Sequence, residues 1–463
     1  MDEKAEVHVA TIITRGSAGA QVLVEPEGRG WRLPSFTLAG LPDSRAVAPA
    51  LRAAVAERFG LAVAVLSLLH DQRGKAGGPR NALVALDAFT APTDGAEAAG
   101  SAWLSVDELT QVAFAGEAEG ARVYQWLADL VPGAGHALGW TRPGWLGETS
   151  QWIEAQLAQH GLTLAGPIEQ QRTWSLSALL RAPLSAGSAY FKALPPLFAS
   201  EPSITQALAR RFPGRFPEVM AIDAERGWLL MREFSGQLLQ ACSDLTVWSD
   251  ALRQYARLQV AASAEPDALL AAGCPDRRLG VLPGQFAAVL NDHDHLLLGA
   301  PEGLNAEQLA ELNALAALLP AACAALEACG LPYTLEHGDL HGNNIAVMPS
   351  GFVYFDWSDA CLSHPFICLI TFLETVRPDW HAALTQAYLE EWGAYASPEQ
   401  LQRALRLSQP LGAAHLAISY HRILAATEAS QRWQLAGALP LFLREFLKYK
   451  EALLTLVLGV RSL

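Results

Sequence analysis

The chain contains few cysteines and no long apolar run, and each feature argues against certain classes of protein. All six cysteines lie between Cys242 and Cys368, without a CxxC pair. This pattern argues against a disulfide framework or a zinc site and predicts a reducing, cytoplasmic location. No apolar run is long enough to cross a bilayer, so we expect no membrane partner. The N-terminal residues MDEKAEVHVATII lack a basic segment followed by an apolar one, so we expect no secretory signal.

Basic residues are also scarce, with 33 Lys plus Arg against 47 Asp plus Glu and a net charge of −14. Such a surface repels the phosphates of nucleic acid, so we expect no nucleic-acid partner. It tolerates, and could steer, a neutral or cationic small molecule. The 463 residues, of which 51% are hydrophobic, suffice for roughly two to four domains with helical cores. The oligomeric state is not predicted by these features.

The most informative segment is EHGDLHGNNIAVMPSGFVYFDWSDACLSHP, residues 336–365. It contains Asp339, Asn344 and Asp356, and its IAVM and FVYF runs alternate around a Pro-Ser-Gly turn, which predicts a β-hairpin. Phosphoryl transfer from a nucleotide needs one carboxylate that accepts the proton of the attacking hydroxyl. It also needs a second carboxylate and an amide oxygen that hold magnesium. The segment supplies this set, although a polar hairpin whose aspartates cap turns is the alternative.

HGDLHGNN followed by FDW resembles the catalytic core of the aminoglycoside phosphotransferase (APH) family, a branch of the protein-kinase-like fold. The resemblance implies that Asp339 is the catalytic base and that Asn344 and Asp356 are the metal ligands. It further implies that His337 braces the loop and that His341 lines it. ATP and Mg²⁺ are the cofactors that this family implies, and the hydroxyl of a small molecule is the acceptor.

An ATP-binding lobe should precede this core and carry a strand-borne lysine and a helix-borne glutamate. SAYFKAL places Lys192 at the end of an alternating strand, and SEPSITQALARRF begins like a helix with Ser200 as N-cap. Glu201 would pair with Lys192 and orient it onto the α- and β-phosphates. The alternatives are a solvated strand-end lysine and an ordinary acidic residue at a helix start.

Two further segments complete the predicted nucleotide site. IEQQRTWSLSALLRAPL predicts two strands joined by a bend at residues 172–175, and it contains no GxGxxG. Backbone amides and the hydroxyls of Thr173 and Ser175 would therefore cover the phosphates. RGWLLMREFSG predicts a strand that enters a hinge. The residues expected to contact the adenine are Met231, Arg232 and Phe234.

The remaining C-terminal sequence is rich in Ala and Leu, with helical periodicity near residues 245–262, 305–330, 382–395 and 399–460. These segments predict the helical lobe that carries the acceptor site. One position departs from the family pattern. The run after DW commonly ends HPxxDL in the family, with an Asp that braces the catalytic loop, whereas this chain has Cys368 there. A thiol cannot accept strong backbone hydrogen bonds as a carboxylate can, so the brace must be replaced or omitted.

The N-terminal strands, with an Ala-rich helix from about Ser44 to Phe59, resemble a Nudix domain. The Nudix helix carries RExxEExG, whereas this chain has AAVAERFG, in which Glu57 remains and Arg58 replaces the last Glu. One carboxylate cannot hold the ions that hydrolysis needs. We therefore expect a Nudix-like fold without its chemistry, which acts as a docking or regulatory module or as a packing partner.

The expected fold class is α+β, with a two-lobed protein-kinase-like (APH-type) domain preceded by a Nudix-like α/β/α domain. The expected boundaries are residues 1–130 for the Nudix-like domain, 131–145 for a linker, 146–236 for the ATP-binding lobe and 237–463 for the helical lobe. The leading function is an ATP- and Mg-dependent kinase for a small-molecule hydroxyl. One alternative is a nucleotide-binding pseudokinase with a Nudix-like docking module. The other is a diphosphate hydrolase, which the missing glutamates argue against.

Overall fold

The computed structural model of the protein describes residues 6–16, 21–39, 47–72, 80–89, 100–114, 117–129, 138–428 and 431–458. They divide into two compact units. The first contains Met1–Pro196 and Trp228–Met231, and the second contains Leu197–Gly227 and Arg232–Leu463. The expected helix start at Ser44 and residues 131–137 of the expected linker lie outside the described residues.

The N-terminal part of the first unit is a mixed sheet with helices. Its strands are β1 (Val7–Arg15), β2 (Gln21–Glu27), β3 (Gly30–Arg32), β4 (Ser35–Leu38), β5 (Val63–Gln72), β6 (Arg80–Ala88) and β7 (Ala102–Ser105). Its helices are α1 (Val47–Phe59), α2 (Val106–Leu109) and α3 (Glu117–Asp129). The strand order is β3-β2-β1-β6-β5, with β4 on β1 and β7 on β2. β1 and β6 run parallel, whereas the pairs β1–β2, β1–β4, β2–β3, β2–β7 and β5–β6 are antiparallel.

Both faces of this sheet are buried because apolar residues occupy successive positions of its central strands. On one face Val9 and Ile13 of β1 pack in one core with Val55 of α1. On the other face Ile12 packs in a second core with Trp126 of α3. The α/β/α layering expected from the sequence is therefore present, whereas the likeness to a Nudix domain stays a prediction.

The chain from residue 138 onward supplies the remaining elements. Up to residue 238 these are α4 (Trp145–Gln159), β8 (Glu169–Trp174), β9 (Ser177–Pro183), β10 (Ser188–Ala193), α5 (Glu201–Arg211), β11 (Val219–Asp223), β12 (Trp228–Arg232) and β13 (Gln237–Leu238). The helices that follow are α6 (Leu245–Ala262), α7 (Pro266–Ala271), α8 (Leu282–Asn291), α9 (His293–Leu296), α10 (Ala306–Ala316), α11 (Leu319–Glu327), α12 (Cys368–Glu374), α13 (His381–Glu390), α14 (Pro398–Ala426), α15 (Ala438–Leu447) and α16 (Lys450–Leu458). Between α11 and α12 lie β14 (Thr334–Glu336), β15 (Ile345–Met348), β16 (Gly351–Tyr354) and β17 (Cys361–Ser363). The α+β class is thereby confirmed.

In the first unit, strands β12, β10, β9 and β8 lie side by side in that order. The ring of Phe191, immediately before Lys192, lies 5.7 Å from Trp152 of α4 and 5.4 Å from Trp228 of β12. This aromatic cluster fixes α4 against the sheet that carries the lysine. The bend expected at residues 172–175 is displaced, because Thr173 still pairs with Ala178 and the turn consists of Ser175 and Leu176.

The second unit confirms the helix at residues 245–262 and corrects three other expectations. The segment 305–330 is broken into α10 and α11, the segment 382–395 ends at Glu390, and the segment 399–460 is broken into α14, α15 and α16. Apolar periodicity continues through such breaks because each piece buries a face in the same core, so periodicity alone does not mark them. Pro320 in the first turn of α11 is the local sign of one break.

The expected catalytic hairpin is confirmed, with Ile345 paired with Tyr354 and Met348 with Gly351. β13 adds to it by pairing with β15. Gly236 precedes β13, and a Cβ there would lie 2.9 Å from the Val347 carbonyl oxygen. The glycine therefore permits close approach of the hinge to the hairpin.

Within the described part of the chain, no single helix has the length and apolar character to cross a membrane, although the bent pair α10 and α11 meets the criterion by length and composition alone.

We expect Phe191→Ala to lower the free energy of unfolding by about 3–5 kcal/mol, because it deletes a fully buried ring from the Trp152–Trp228 cluster. The measurement is urea denaturation followed by tryptophan fluorescence. Phe89→Ala is the control, since that ring is 53% exposed. Equal losses in the two variants would contradict the assignment of Phe191 to the core.

Candidate active site

The loop that follows β14 requires glycine at position 338. Gly338 has a φ of +79°, and a Cβ there would lie 2.4 Å from the carbonyl oxygen of Asp359. Only glycine combines this left-handed conformation with so close a contact. The HGD sequence thereby turns the chain sharply and presents Asp339 at the start of the loop.

His337 links the two chain segments that carry the predicted carboxylates. Its ring is buried, and Nε2 lies 3.1 Å from the carbonyl oxygen of Phe355, immediately before Asp356. Its Nδ1 accepts a hydrogen bond from the backbone N–H of Asp339 at 3.4 Å. Burial lowers the pKa of His337 to about 4, so the ring is neutral near pH 7 and Nε2–H donates to Phe355. These contacts link the segments of Asp339 and Phe355, and the predicted role of His337 as a brace stays a prediction.

Asp339, His341 and Asn344 lie together on the loop. The Asp339 side chain is about half exposed, and its Oδ2 lies 3.4 Å from Nε2 of His341. Nδ1 of His341 accepts from the Asn343 backbone N–H at 3.1 Å, so Nε2 carries the proton and faces Asp339. Burial lowers the pKa of His341, but the Asp339 hydrogen bond and the charges of Asp339 and Asp356 reverse the shift and raise it. The N–H of the imidazole therefore stabilises the Asp339 carboxylate through a hydrogen bond.

The Asn344 amide is oriented by the loop itself. Its Nδ2 donates to the carbonyl oxygen of Asp339 at 2.9 Å and lies 3.4 Å from Oδ2 of the same residue. Since the nitrogen is engaged in this way, the amide oxygen is the atom left to ligate a cation. Asn344 is 6% exposed, so its position is fixed by burial as well as by hydrogen bonds.

Asp356 adopts a backbone conformation that side chains rarely occupy, with a φ of +68°. The residue is exposed although it directly precedes the fully buried Trp357. The indole ring of Trp357 lies 4.4 Å from the ring of His337. A strained and exposed aspartate that is held by buried neighbours is typical of a functional position.

Glu201, which begins α5, lies beside the same carboxylate. Glu201 is 2% exposed, and the hydroxyl of Ser358 lies 2.5 Å from its Oε2 and 3.0 Å from Oδ1 of Asp356. Ser358 has one proton to donate and so links the two carboxylates alternately. Sequence reasoning missed Ser358, although its place directly after the FDW motif was a usable signal. Lys192, on β10, is 8% exposed and belongs to the other unit, so its pairing with Glu201 stays a prediction.

Of the other predicted nucleotide contacts, Thr173 lies on a strand rather than in the expected bend. Thr173 lies near the end of β8, and Ser175 lies in the turn, 2% exposed and without a hydrogen-bond partner in the described part of the chain. Met231 and Arg232 end β12. The ring of Phe234 lies 5.1 Å from that of Phe355, next to Asp356. Their roles at a nucleotide stay predictions.

A buried carboxylate that sequence reasoning missed lies under the catalytic loop. Glu336 is 1% exposed, and its Oε1 accepts from the Gly338 backbone N–H at 3.1 Å. Burial raises the pKa of Glu336 to about 8, while the backbone N–H groups of Gly338, Cys368 and His337 pull it down. The Cys368 thiol is directed elsewhere, 3.2 Å from the carbonyl oxygen of Pro365. Glu336 thus supplies the loop brace that Cys368 cannot, and an acidic residue in the apolar strand YTLE was the available signal.

A cavity of about 270 Å³ lies in the helical part of the second unit. Its lining includes Glu374, His381, Phe442, Glu445 and Tyr449. The carboxylate of Glu445 is paired with the ammonium group of Lys448. Tyr420 stacks on Phe442 with ring centroids 4.2 Å apart. Burial raises the pKa of Tyr420 to about 12, with contributions from the charges of Asp339, Asp359 and Glu374.

Glu57 and Arg58, the positions compared with the Nudix pattern, lie at the end of α1. Glu57 is exposed on α1. The guanidinium of Arg58 pairs with the carboxylate of Glu25 and donates to the carbonyl oxygen of Ser35 at 3.1 Å. A cation thus occupies the helix position where the Nudix pattern has its last glutamate.

A second group of side chains of metal-ligand type lies in the helical part. Oδ2 of Asp292 lies 2.9 Å from Nδ1 of His295 and 2.9 Å from Nε2 of His421. These hydrogen bonds tie the short helix α9 to α14.

Comparison with known proteins finds a family model that matches part of the chain. Residues 188–403 match the model of the phosphotransferase enzyme family, and this segment contains Lys192, Glu201, Asp339, Asn344 and Asp356. No curated protein matches the chain.

Several solved structures are similar to the chain. A macrolide 2′-phosphotransferase from Brachybacterium faecium is 20% identical, with 63% of this chain and 98% of that one covered and a TM-score of 0.43. A choline/ethanolamine kinase family protein from Mesorhizobium loti is 17% identical, with 68% and 100% covered and a TM-score of 0.44. Choline kinase from Streptococcus pneumoniae is 14% identical, with 65% and 100% covered and a TM-score of 0.46.

Glu336→Gln should stabilise the protein at alkaline pH and leave its stability near pH 5 unchanged. The folded-state pKa of Glu336, about 8, lies above its ordinary value of 4.5, so stability is fully present below the ordinary value and is lost as pH rises through the folded one. Glutamine keeps the acceptor for Gly338 but does not titrate. Melting temperatures at about pH 5 and about pH 8.5 measure the difference.

Glu336→Leu is the matched variant without an acceptor. It should cost about 1–3 kcal/mol at both pH values, because the buried Gly338 N–H loses its partner. A glutamine variant that follows the wild type at both pH values would contradict a titrating, buried Glu336.

Proposed function

We propose that the protein is an ATP- and magnesium-dependent kinase that phosphorylates a hydroxyl group of a small molecule. The main support is that Asp339, Asn344 and Asp356 belong to one loop–hairpin unit. His337 contacts Asp339 and the residue before Asp356, and Asn344 bonds to Asp339. All of them lie within the segment that is similar to phosphotransferases. A pseudokinase would be expected to lose part of this set. The proposal therefore takes precedence over the pseudokinase alternative.

The chemistry of the donor set fits magnesium. Mg²⁺ prefers oxygen ligands and is held by one or two carboxylates together with the substrate phosphates. Asp356 supplies an exposed carboxylate, and the amide of Asn344 has its nitrogen engaged and its oxygen left for a cation. When bound, the metal neutralises charge on the phosphates. Lys192 would contact the α- and β-phosphates, with Glu201 orienting it, while Thr173 and Ser175 would cover them and Met231, Arg232 and Phe234 would contact the adenine.

Asp339 acts as the base in this proposal. Its carboxylate is half exposed and is therefore accessible to the hydroxyl of a bound acceptor. It accepts the proton of that hydroxyl as the oxygen attacks the γ-phosphorus. The neighbouring N–H of His341 holds the carboxylate in place.

The acceptor is proposed to bear a positive charge as well as a hydroxyl. Glu374 lines the cavity, as does Glu445, whose carboxylate is paired with Lys448. Phe442 and Tyr449 add aromatic faces that attract cations. The net charge of −14 adds a long-range attraction for such a molecule. Amino sugars and other hydroxylated amines are the class to be screened.

ATP with magnesium should raise the melting temperature, because a ligand that binds only the folded state stabilises it. Lys192→Ala should weaken this response, and Asp356→Ala should remove its dependence on magnesium. The measurement is a thermal-shift titration with ATP, with and without Mg²⁺. The absence of a shift at millimolar ATP and magnesium would contradict nucleotide binding.

Asp339→Asn should lower kcat by about 10²–10⁴-fold while leaving ATP affinity near that of the wild type, because a base acts only in the transition state. Asp356→Asn should weaken both turnover and ATP affinity, since it removes a metal ligand. Both variants are compared in kcat, KM and ATP affinity with an acceptor from the screen. Near wild-type turnover in Asp339→Asn would refute the base assignment. ATP binding without turnover on any acceptor would favour the pseudokinase.

A further inference from the structure

We propose that the N-terminal part of the chain, residues 6–129, holds the β8–β9 turn in the conformation that receives the nucleotide phosphates. Gln170 is the positioning residue through which it acts. The inference rests on the proposed function, because it concerns the same nucleotide site. It gives the N-terminal part a role that requires no chemistry of its own.

The Gln170 side chain binds the backbone of β5 like an additional peptide group. Its Oε1 accepts from the Val65 N–H at 2.8 Å, and its Nε2 donates to the Val65 carbonyl oxygen at 2.7 Å. β5 is the last strand in its sheet order, and its pairing with β6 shifts register between Val65 and Ser67. Gln170 thereby satisfies both backbone groups of a residue beside this irregularity. The glutamine is 6% exposed, so neither bond competes freely with water.

The side-chain amide of Gln170 also bonds to Thr173, one of the residues predicted to cover the phosphates. Nε2 of Gln170 also donates to Oγ1 of Thr173 at 2.6 Å. Because the threonine oxygen accepts this bond, its own hydroxyl proton remains for a second partner, such as a phosphate oxygen. One side chain therefore fixes Thr173 relative to β5.

Further contacts tie the same hairpin to the preceding part of the chain. Nη2 of Arg52, on α1, donates to the Gln170 carbonyl oxygen at 3.1 Å. The indole N–H of Trp140 donates to the carbonyl oxygen of Trp174 at 3.0 Å. The main chain of β8 is thus held at Gln170 and at Trp174, the last residue before the turn.

The lack of glycine in this turn explains why such support is needed. A glycine-rich loop can wrap its backbone amides around phosphates, whereas the sequence Arg-Thr-Trp-Ser-Leu-Ser relies on hydroxyls whose directions must be set. A site held in its binding geometry before the ligand arrives loses less entropy on binding. The N-terminal part provides this preorganisation by anchoring Gln170.

The test compares the affinities of ATP and adenosine in the full-length chain. Gln170→Met keeps the side-chain length but removes the amide, and Arg52→Met removes the bond to the Gln170 carbonyl. We expect each to raise the dissociation constant for Mg·ATP by about three- to tenfold and to leave that for adenosine, which lacks phosphates, unchanged. Arg58→Met is the control on the same helix, since the guanidinium of Arg58 bonds to Ser35 and Glu25, both within residues 6–129. It should change neither constant.

A Thr173→Val variant completes the experiment. If Gln170 acts through Thr173, the double variant Gln170→Met/Thr173→Val should bind ATP little worse than Thr173→Val alone. Three results would each overturn the proposal, even if melting temperatures fall. The first is full additivity of the losses in ATP affinity in the double variant, and the second is an equal loss of affinity for ATP and adenosine. The third is an ATP affinity that is unchanged in both Gln170→Met and Arg52→Met. Should Gln170→Met fail to fold, Arg52→Met decides. A wild type that does not bind ATP would instead refute the proposed function.

Discussion

The imidazole of His337 joins the two chain segments on which the candidate site depends. It can do so only while buried and neutral, because one ring nitrogen must accept from Asp339 and the other must donate to Phe355. Burial secures this state by disfavouring the charged ring. The strained φ of Asp356 follows from the same arrangement, since Phe355 is held by His337 on one side and Trp357 packs on the imidazole on the other.

The local elements of the site were predictable from sequence because each has a short-range signal. Alternation around Pro-Ser-Gly predicted the hairpin, and the strand of Lys192 and the helix beginning at Glu201 are also present. The hydrogen bonds of Gln170 and Arg52 were not predictable, because they join residues more than 100 positions apart. The helix ends in the C-terminal half were missed because apolar periodicity continues through them. Pro410 lies inside α14 without ending it, so a proline does not by itself mark a helix end.

The loop after β14 receives its buried carboxylate acceptor from the strand itself, because Glu336 accepts from the Gly338 N–H. Cys368 begins α12, whereas Glu336 ends β14, and the two approach each other closely enough for the Cys368 N–H to act on the glutamate. The acceptor is therefore supplied from the strand rather than from the helix. A family comparison that inspects position 368 alone would infer a damaged site. The hydrogen bond to Gly338 is the relevant criterion, and it is present.

Residues 6–129 can support a neighbouring strand without any chemistry of their own. The described part of this segment has two apolar cores, one on each face of the sheet. The edge strand β5 and helix α1 offer backbone groups and a guanidinium to β8. This support depends on Arg52 and on the backbone of Val65, and not on the positions that the Nudix pattern assigns to metal ligands.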